Sequence, residues 1–212
     1  LRRGARWSDG HPLTTEDLVY YWEREANDPA VSFRASDILR HMGKRPIFTA
    51  IDKYTLRVRF EDPYPDFLDR LATWHGQEIL GSPAHYLSKY HPILGDPEFI
   101  EKEMERKGIP NPSMLYSYVK GWSNTEHPRL WPWLYRTYQP NPPYVFVRNP
   151  YYFAVDPQGN QLPYIDRFIV QERQGDMADV AAINGELSYR MGMPFRLYSL
   201  AMAQRQIGDY EV

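Results

Sequence analysis

The apolar positions of this chain change period several times, and each change marks an element. From Thr14 to Trp22 the apolar residues Leu18, Tyr21 and Trp22 recur at i, i+3 and i+4, which predicts an amphipathic helix. Thr14 or Thr15 caps it, and Glu16 and Asp17 place negative charge in its first turn. Ahead of it, Leu1–Arg6 reads as a basic strand and Ser8-Asp9-Gly10 as a tight turn. Asn27-Asp28-Pro29 breaks the helical period. The period then shortens to two: Leu56, Val58 and Phe60 alternate with Arg57 and Arg59, and Phe48–Ile51 pairs with them as a hairpin through Asp52-Lys53.

Beyond the hairpin, Pro65–Trp74 reads as a short helix with Phe67, Leu68 and Leu71 inward. Ser82-Pro83 opens another. Pro97–Lys107 is a charged helix with Phe99, Ile100 and Met104 as its inner stripe, stopped by Gly108, and Ser113–Trp122 is a further helix. Pro128–Pro143 carries too many prolines to be a regular central element. Tyr144–Arg148 and Ile165–Gln171 read as strands, Asp176–Ile183 as a helix stopped by Asn184-Gly185, and the Tyr210-Glu211-Val212 end as the start of a strand. Helices and strands mix without a repeat, so the fold class is α/β in the mixed α+β sense.

Composition narrows the function. The 212 residues, with a formal charge of −2 and no basic block, do not point to nucleic acid. No apolar run is long enough to cross a bilayer. Cysteine is absent, which removes disulfides and cysteine metal sites without fixing a compartment. Tyrosine and tryptophan are scattered through polar sequence; such side chains suit a wet cleft and equally fill the cores of loop-rich proteins.

Catalytic chemistry finds little purchase. His11, His41, His75, His85, His91 and His127 include no pair at i, i+4 and no His-Glu-x-x-His, so no metal site is expected. There is no Gly-x-Ser-x-Gly elbow, no Gly-x-Gly-x-x-Gly and no Walker pattern, and no cofactor is implied. The carboxylates sit mostly at helix starts (Glu16, Asp17, Asp176) or on charged helical faces (Glu98, Glu101, Glu103, Glu105). A glycosidase pair is defined by separation in space, which counting does not supply. Asp9 reads as a turn former.

Three stretches carry a resemblance. Leu1-Arg2-Arg3-Gly4-Ala5-Arg6-Trp7-Ser8-Asp9-Gly10-His11-Pro12-Leu13-Thr14-Thr15-Glu16-Asp17 is similar to the signature of the family 5 extracellular solute-binding proteins of ABC importers. Arg148-Asn149-Pro150-Tyr151-Tyr152 with Asp156-Pro157-Gln158-Gly159-Asn160-Gln161-Leu162-Pro163-Tyr164-Ile165-Asp166-Arg167 is a second match, and Ala181–Tyr189 a third. They stand in family order at family spacing.

The resemblance implies a type II periplasmic-binding-protein fold, truncated, on an excised piece of a longer exported protein. Residues 1–82 would be the accessory lobe of the first domain, 83–172 its main sheet lobe, and 173–212 the start of the second. Function in the family is capture without catalysis: two lobes close on a solute and present it to a membrane permease. Peptides are the expected ligand and oligosaccharides the alternative; a carbohydrate-active hydrolase domain is the alternative of another class. The full-length protein would be a periplasmic or cell-surface monomer, and this piece alone, lacking half its cleft, would bind nothing. The segment holding Phe33 and Ser36 falls where peptide-binding relatives place an aromatic contact. Trp74 and His75 fall near the crossing between lobes, although Trp74 could equally cap the preceding helix. Trp131 belongs to a Trp-rich run, Leu130–Tyr135, that departs from the peptide-binding pattern and favours stacking on sugars.

Overall fold

A computed structural model describes residues 1–31, 39–137, 142–173, 175–190, 192 and 194–209, without the side chains of residues 74, 75 and 207. Its elements follow the order α1 (Thr15–Tyr20), a wide π turn (Tyr21–Glu25), β1 (Ile47–Ala50), β2 (Leu56–Arg59), α2 (Phe67–Leu71), a 3-10 segment (Trp74–Leu80) and α3 (Ala84–Leu87). After these come α4 (Pro97–Lys107), α5 (Pro112–Lys120), β3 (Trp133–Tyr135), β4 (Tyr144–Arg148), β5 (Arg167–Val170), α6 (Asp176–Ile183) and α7 (Tyr198–Gly208).

The basic lead-in is not a strand. It folds back on itself instead: Trp7 N–H donates to the His11 carbonyl at 2.8 Å, Leu13 N–H to Ala5 at 2.9 Å, and a single bridge joins Arg6 to Pro12. Each arm is too short, and too quickly closed by the turn, to extend a ladder. Asp17 does more than complement the helix dipole. One carboxylate oxygen accepts from Thr14 N–H and the other from Ala84 N–H, both at 2.9 Å, so the start of α1 is tied to the start of α3. Pro83 stands just before α3, as its cap, rather than in its first turn.

β1 and β2 form an antiparallel hairpin whose turn is held by the Asp52 carboxylate, which accepts from Tyr54 and Thr55 N–H at 2.7 and 3.0 Å. In α2, Phe67 and Leu71 pack inward, but Leu68 is 73% exposed. One step of about 100° from Phe67 carries it off the buried face, and a five-residue helix has one buried stripe. α4 has the predicted bounds, with Asp96 capping Glu98 N–H at 2.9 Å and Gly108 left-handed at φ +66°. Ile100 is buried, whereas Phe99 sits at the edge against the Tyr90 ring.

Two apolar clusters divide the packing. Leu18, Tyr21, Trp22, Leu39, Phe48 and Ile79 join α1 to the hairpin and the 3-10 segment. Tyr20, Leu87, Tyr90, Ile100, Leu115 and Tyr116 join it to the α3–α5 helices. β3, β4 and β5 form a separate antiparallel sheet in that order. The proline-rich stretch thus supplies a three-residue edge strand, the sheet position that tolerates neighbouring prolines. α7 was not apparent in the sequence. Its Tyr198 and Leu200 are about half exposed, and among its described side chains only Ala201 is fully buried, so its apolar pattern is blurred. The turn closing α6 meets it closely: a Cβ on Gly185, which has φ +74°, would lie 2.4 Å from the Gly208 carbonyl oxygen. Residues 210–212, expected to begin a strand, lie outside the described residues.

Candidate functional site

The first two of the three motif stretches, far apart in sequence, meet in space. Ser8 N–H donates to the Arg129 carbonyl at 3.0 Å, and Arg129 N–H returns a bond to Ser8 Oγ at 2.9 Å. Asn149, fully buried, donates from Nδ2 to the Trp131 carbonyl at 2.9 Å and accepts from Tyr151 N–H at 2.9 Å. Asn149 N–H donates to Pro132 at 2.8 Å. The Trp7–Gly10 turn, the 129–132 loop and the Arg148–Tyr152 stretch are therefore one hydrogen-bonded joint between the N-terminal segment and the sheet. Gly10 has φ +88°, and a Cβ there would meet the Tyr151 ring at 3.2 Å, so the glycine serves both the turn and the contact.

The Asp156–Asp166 stretch extends the joint. Asp156 accepts from Gln158 and Asn160 N–H at 2.9 and 2.7 Å, from Asn160 Nδ2 at 2.8 Å and from the Tyr164 hydroxyl at 2.5 Å. Those donors, the Tyr164 hydroxyl first, hold its carboxyl down at about 2. Gln161 Nε2 then reaches the carbonyls of Pro150 and Tyr152, both at 2.9 Å.

Asp9 forms the expected turn, accepting from His11 N–H at 3.0 Å, but its other oxygen meets His85 Nε2 at 2.6 Å, and the His11 ring stacks on His85 at 3.9 Å. Burial works against ionisation of Asp9; the His85 hydrogen bond and His11 N–H outweigh it and lower the pKa. The His85 partnership leaves no trace in sequence, because the two residues lie on separate elements.

A second polar cluster also escaped the pattern. Glu25, at the end of the π turn, is fully buried and accepts from Ser82 Oγ at 2.5 Å, from Lys120 Nζ at 2.5 Å and from the Tyr116 hydroxyl. Tyr20 and Tyr116 share a hydroxyl contact at 3.1 Å. Burial first, and the Glu25 charge second, push the Tyr116 hydroxyl far above its ordinary pKa, so it stays a donor. Every group is satisfied, and the cluster pins the end of the π turn, Ser82 just ahead of α3, and α5 together.

Of the residues expected at the ligand, Phe33 and Ser36 lie outside the described residues, as do the Trp74 and His75 side chains. The backbone of residues 74 and 75 opens the 3-10 segment, whose Gly76, Gln77, Ile79 and Leu80 wall an apolar groove of about 620 Å³ with Leu18, Phe48 and Leu56. Trp131 stands elsewhere, ahead of β3, 41% exposed, with the Arg129 guanidinium 4.3 Å above its ring. Among the described residues no group of three His, Asp or Glu side chains is placed to hold a metal ion, and no helix is long and apolar enough to cross a membrane.

The sequence profile of the bacterial extracellular solute-binding proteins, family 5 Middle, matches residues 1–205. The chain belongs to this family. A solved oligopeptide-binding protein OppA superposes with a TM-score of 0.85 at 32% identity, over 100% of this chain and 34% of that one. The periplasmic alpha-galactoside-binding protein of Rhizobium meliloti (strain 1021) is 31% identical over 185 residues, 87% of this chain and 24% of the relative. The periplasmic oligopeptide-binding protein OppA of Escherichia coli (strain K12) is 39% identical over 87 residues, 34% of this chain and 16% of the relative. MelB from Agrobacterium fabrum C58, solved in complex with stachyose, shares the fold at a TM-score of 0.66 and 24% identity, over 96% of this chain and 28% of that one. The family 5 chain thus spans about a quarter to a third of the relatives matched along most of its length. Over that span the fold is the mixed α+β, type II periplasmic-binding-protein class expected from the motifs.

Proposed function

We propose that this chain is part of the extracytoplasmic solute-binding component of an ABC importer, which captures peptides between lobes and delivers them to a membrane permease. The observation that carries the reading is agreement of the whole chain with OppA in fold and, at 32% identity, in sequence. In this reading the protein is periplasmic or cell-surface, monomeric and not an enzyme. Solute binding shifts the equilibrium toward the closed form, and no bond is made or broken. Residues 1–82, 83–172 and 173–212 form the accessory lobe, the main sheet lobe and the start of the second domain, with α1 packed into both apolar clusters where the first two meet. Phe33, Ser36, Trp74 and His75 contact the peptide.

A second reading is favoured by one observation. The alpha-galactoside-binding relative matches 87% of this chain, more than any stretch shared with the Escherichia coli OppA. On this reading Trp131, exposed and backed by Arg129, stacks on a pyranose ring.

Native mass spectrometry of the full-length protein, purified without denaturation, separates the two. A ladder of peptide masses released on unfolding supports peptide capture. Hexose-spaced masses overturn it for the oligosaccharide reading, and then Trp131→Ala weakens sugar affinity. Steady hydrolysis of a peptide or oligosaccharide added to the protein would sink both.

A further inference from the structure

Beside the Ser8–Arg129 joint lies a cavity of about 380 Å³, lined by Asp9, Asn124, His127, Arg129, Tyr135 and Arg136 among others. Several of its buried polar groups can donate a hydrogen bond and have no acceptor among the described residues. His127 is 5% exposed, and neither ring nitrogen has a hydrogen-bond partner among the described residues. The Tyr135 hydroxyl, on a side chain 2% exposed, likewise has none. Arg129 is 8% exposed; its guanidinium donates from Nη2 to the Gly121 carbonyl at 2.7 Å and lies over Trp131, but no carboxylate pairs with it among the described residues. Burial, offset only in part by Tyr86, brings its pKa down to about 10.

The acids of the lining do not answer that charge. Asp9 is committed to His85 and to His11 N–H, and Glu126 is exposed. A buried cation without a counter-charge, next to unmatched donors, is costly, and an oxyanion relieves both costs at once. We propose that this cavity binds a small oxyanion, a carboxylate or a phosphate, held by Arg129, by one N–H of His127 and by the Tyr135 hydroxyl. The inference does not rest on the solute reading. Its occupant links the N-terminal turn, the 124–129 loop and β3. Burial, followed by the charges of Arg129, Lys120 and His85, holds the His127 pKa well below its ordinary value; a bound anion pulls it back up.

The test uses the full-length protein with no peptide or sugar present. Thermal unfolding and titration calorimetry are run with sodium phosphate and with sodium acetate, each against sodium chloride at equal ionic strength. A saturable rise in Tm with either anion, absent in chloride, is expected. The acetate arm identifies a carboxylate site and the phosphate arm a phosphate site. Tyr135→Phe, which removes an unpartnered hydroxyl and so leaves the fold intact, weakens the anion about tenfold, and His127→Gln does so at least as much. The His127 imidazole pKa, followed by NMR, rises on saturation. Equal Tm in all three salts with no movement of the His127 titration overturns the proposal, as does binding that Tyr135→Phe and His127→Gln leave unchanged.

Discussion

Ser8 and Arg129, 121 positions apart, exchange two hydrogen bonds: backbone to backbone in one direction, backbone to side chain in the other. A hydroxyl in a motif turn is therefore an acceptor that a distant loop depends on. Ser8→Ala leaves Arg129 N–H half-buried and unsatisfied, at a cost of about 1–3 kcal/mol. Urea unfolding of the full-length protein measures it, and a change inside 0.5 kcal/mol would show that the bond contributes nothing net.

Gly10 meets two demands at once, a positive φ of +88° and contact with Tyr151. Gly10→Ala is expected to destabilise by about 1–2 kcal/mol from the backbone alone, with the ring contact added. Adding Tyr151→Ala relieves the contact and leaves the backbone term, so the two losses are not additive. Strict additivity in the double-mutant cycle would mean that the ring moves freely aside.

Glu25 and Lys120 form a buried pair of the kind that is dangerous to halve. Lys120→Met strands the Glu25 carboxylate, with only Ser82 and Tyr116 left to hold it. The expected loss is about 3 kcal/mol, the lower end for buried pairs because the lysine side chain keeps 20% of its surface in solvent. Glu25→Gln combined with Lys120→Met recovers more than half, because no charge is then stranded. A double variant as weak as the single one would refute the pairing argument.

The local part of this architecture was legible because it is written in short range. The hairpin, the bounds of α4, the α6 stop at Asn184 and the Ser8–Gly10 turn each follow from period, cap or turn chemistry within a few residues. What escaped was set by tertiary contact. Leu68 is apolar yet exposed because α2 is too short for a second buried face, and α7 buries Ala201 completely while Tyr198 and Leu200 stay about half exposed. Glu25, His85 and His127 read as ordinary polar residues, since their partners come from other elements. The first two of the motifs that disclosed the family proved to be parts of one joint, each held by the 129–132 loop, Ser8 to Arg129 and Asn149 to Trp131. Of the residues expected at the ligand, Trp131 alone has a described side chain, and its ring is packed under Arg129.

His127 makes the acid side of the stability curve testable. Its pKa is depressed by burial first and then by Arg129 on its own loop, Lys120 on α5 and His85 on α3; Tyr86, 5.7 Å away ring to ring, stays neutral because burial raises its pKa. A histidine depressed in the folded state is neutral there while its unfolded counterpart takes a proton below about 6.5. The unfolded state then binds more protons, so stability rises with pH and is fully present above that value. As pH falls below it, stability is lost by at most about 1.4 kcal/mol per unit until the folded pKa is reached. Comparing urea unfolding at pH 7.5 and 5.5 in chloride buffers, His127→Gln should reduce the difference between the two by about 1 kcal/mol relative to the parent. An identical pH dependence in the variant would mean that His127 is protonated in the folded protein at pH 5.5, which would require an acceptor within reach of its ring.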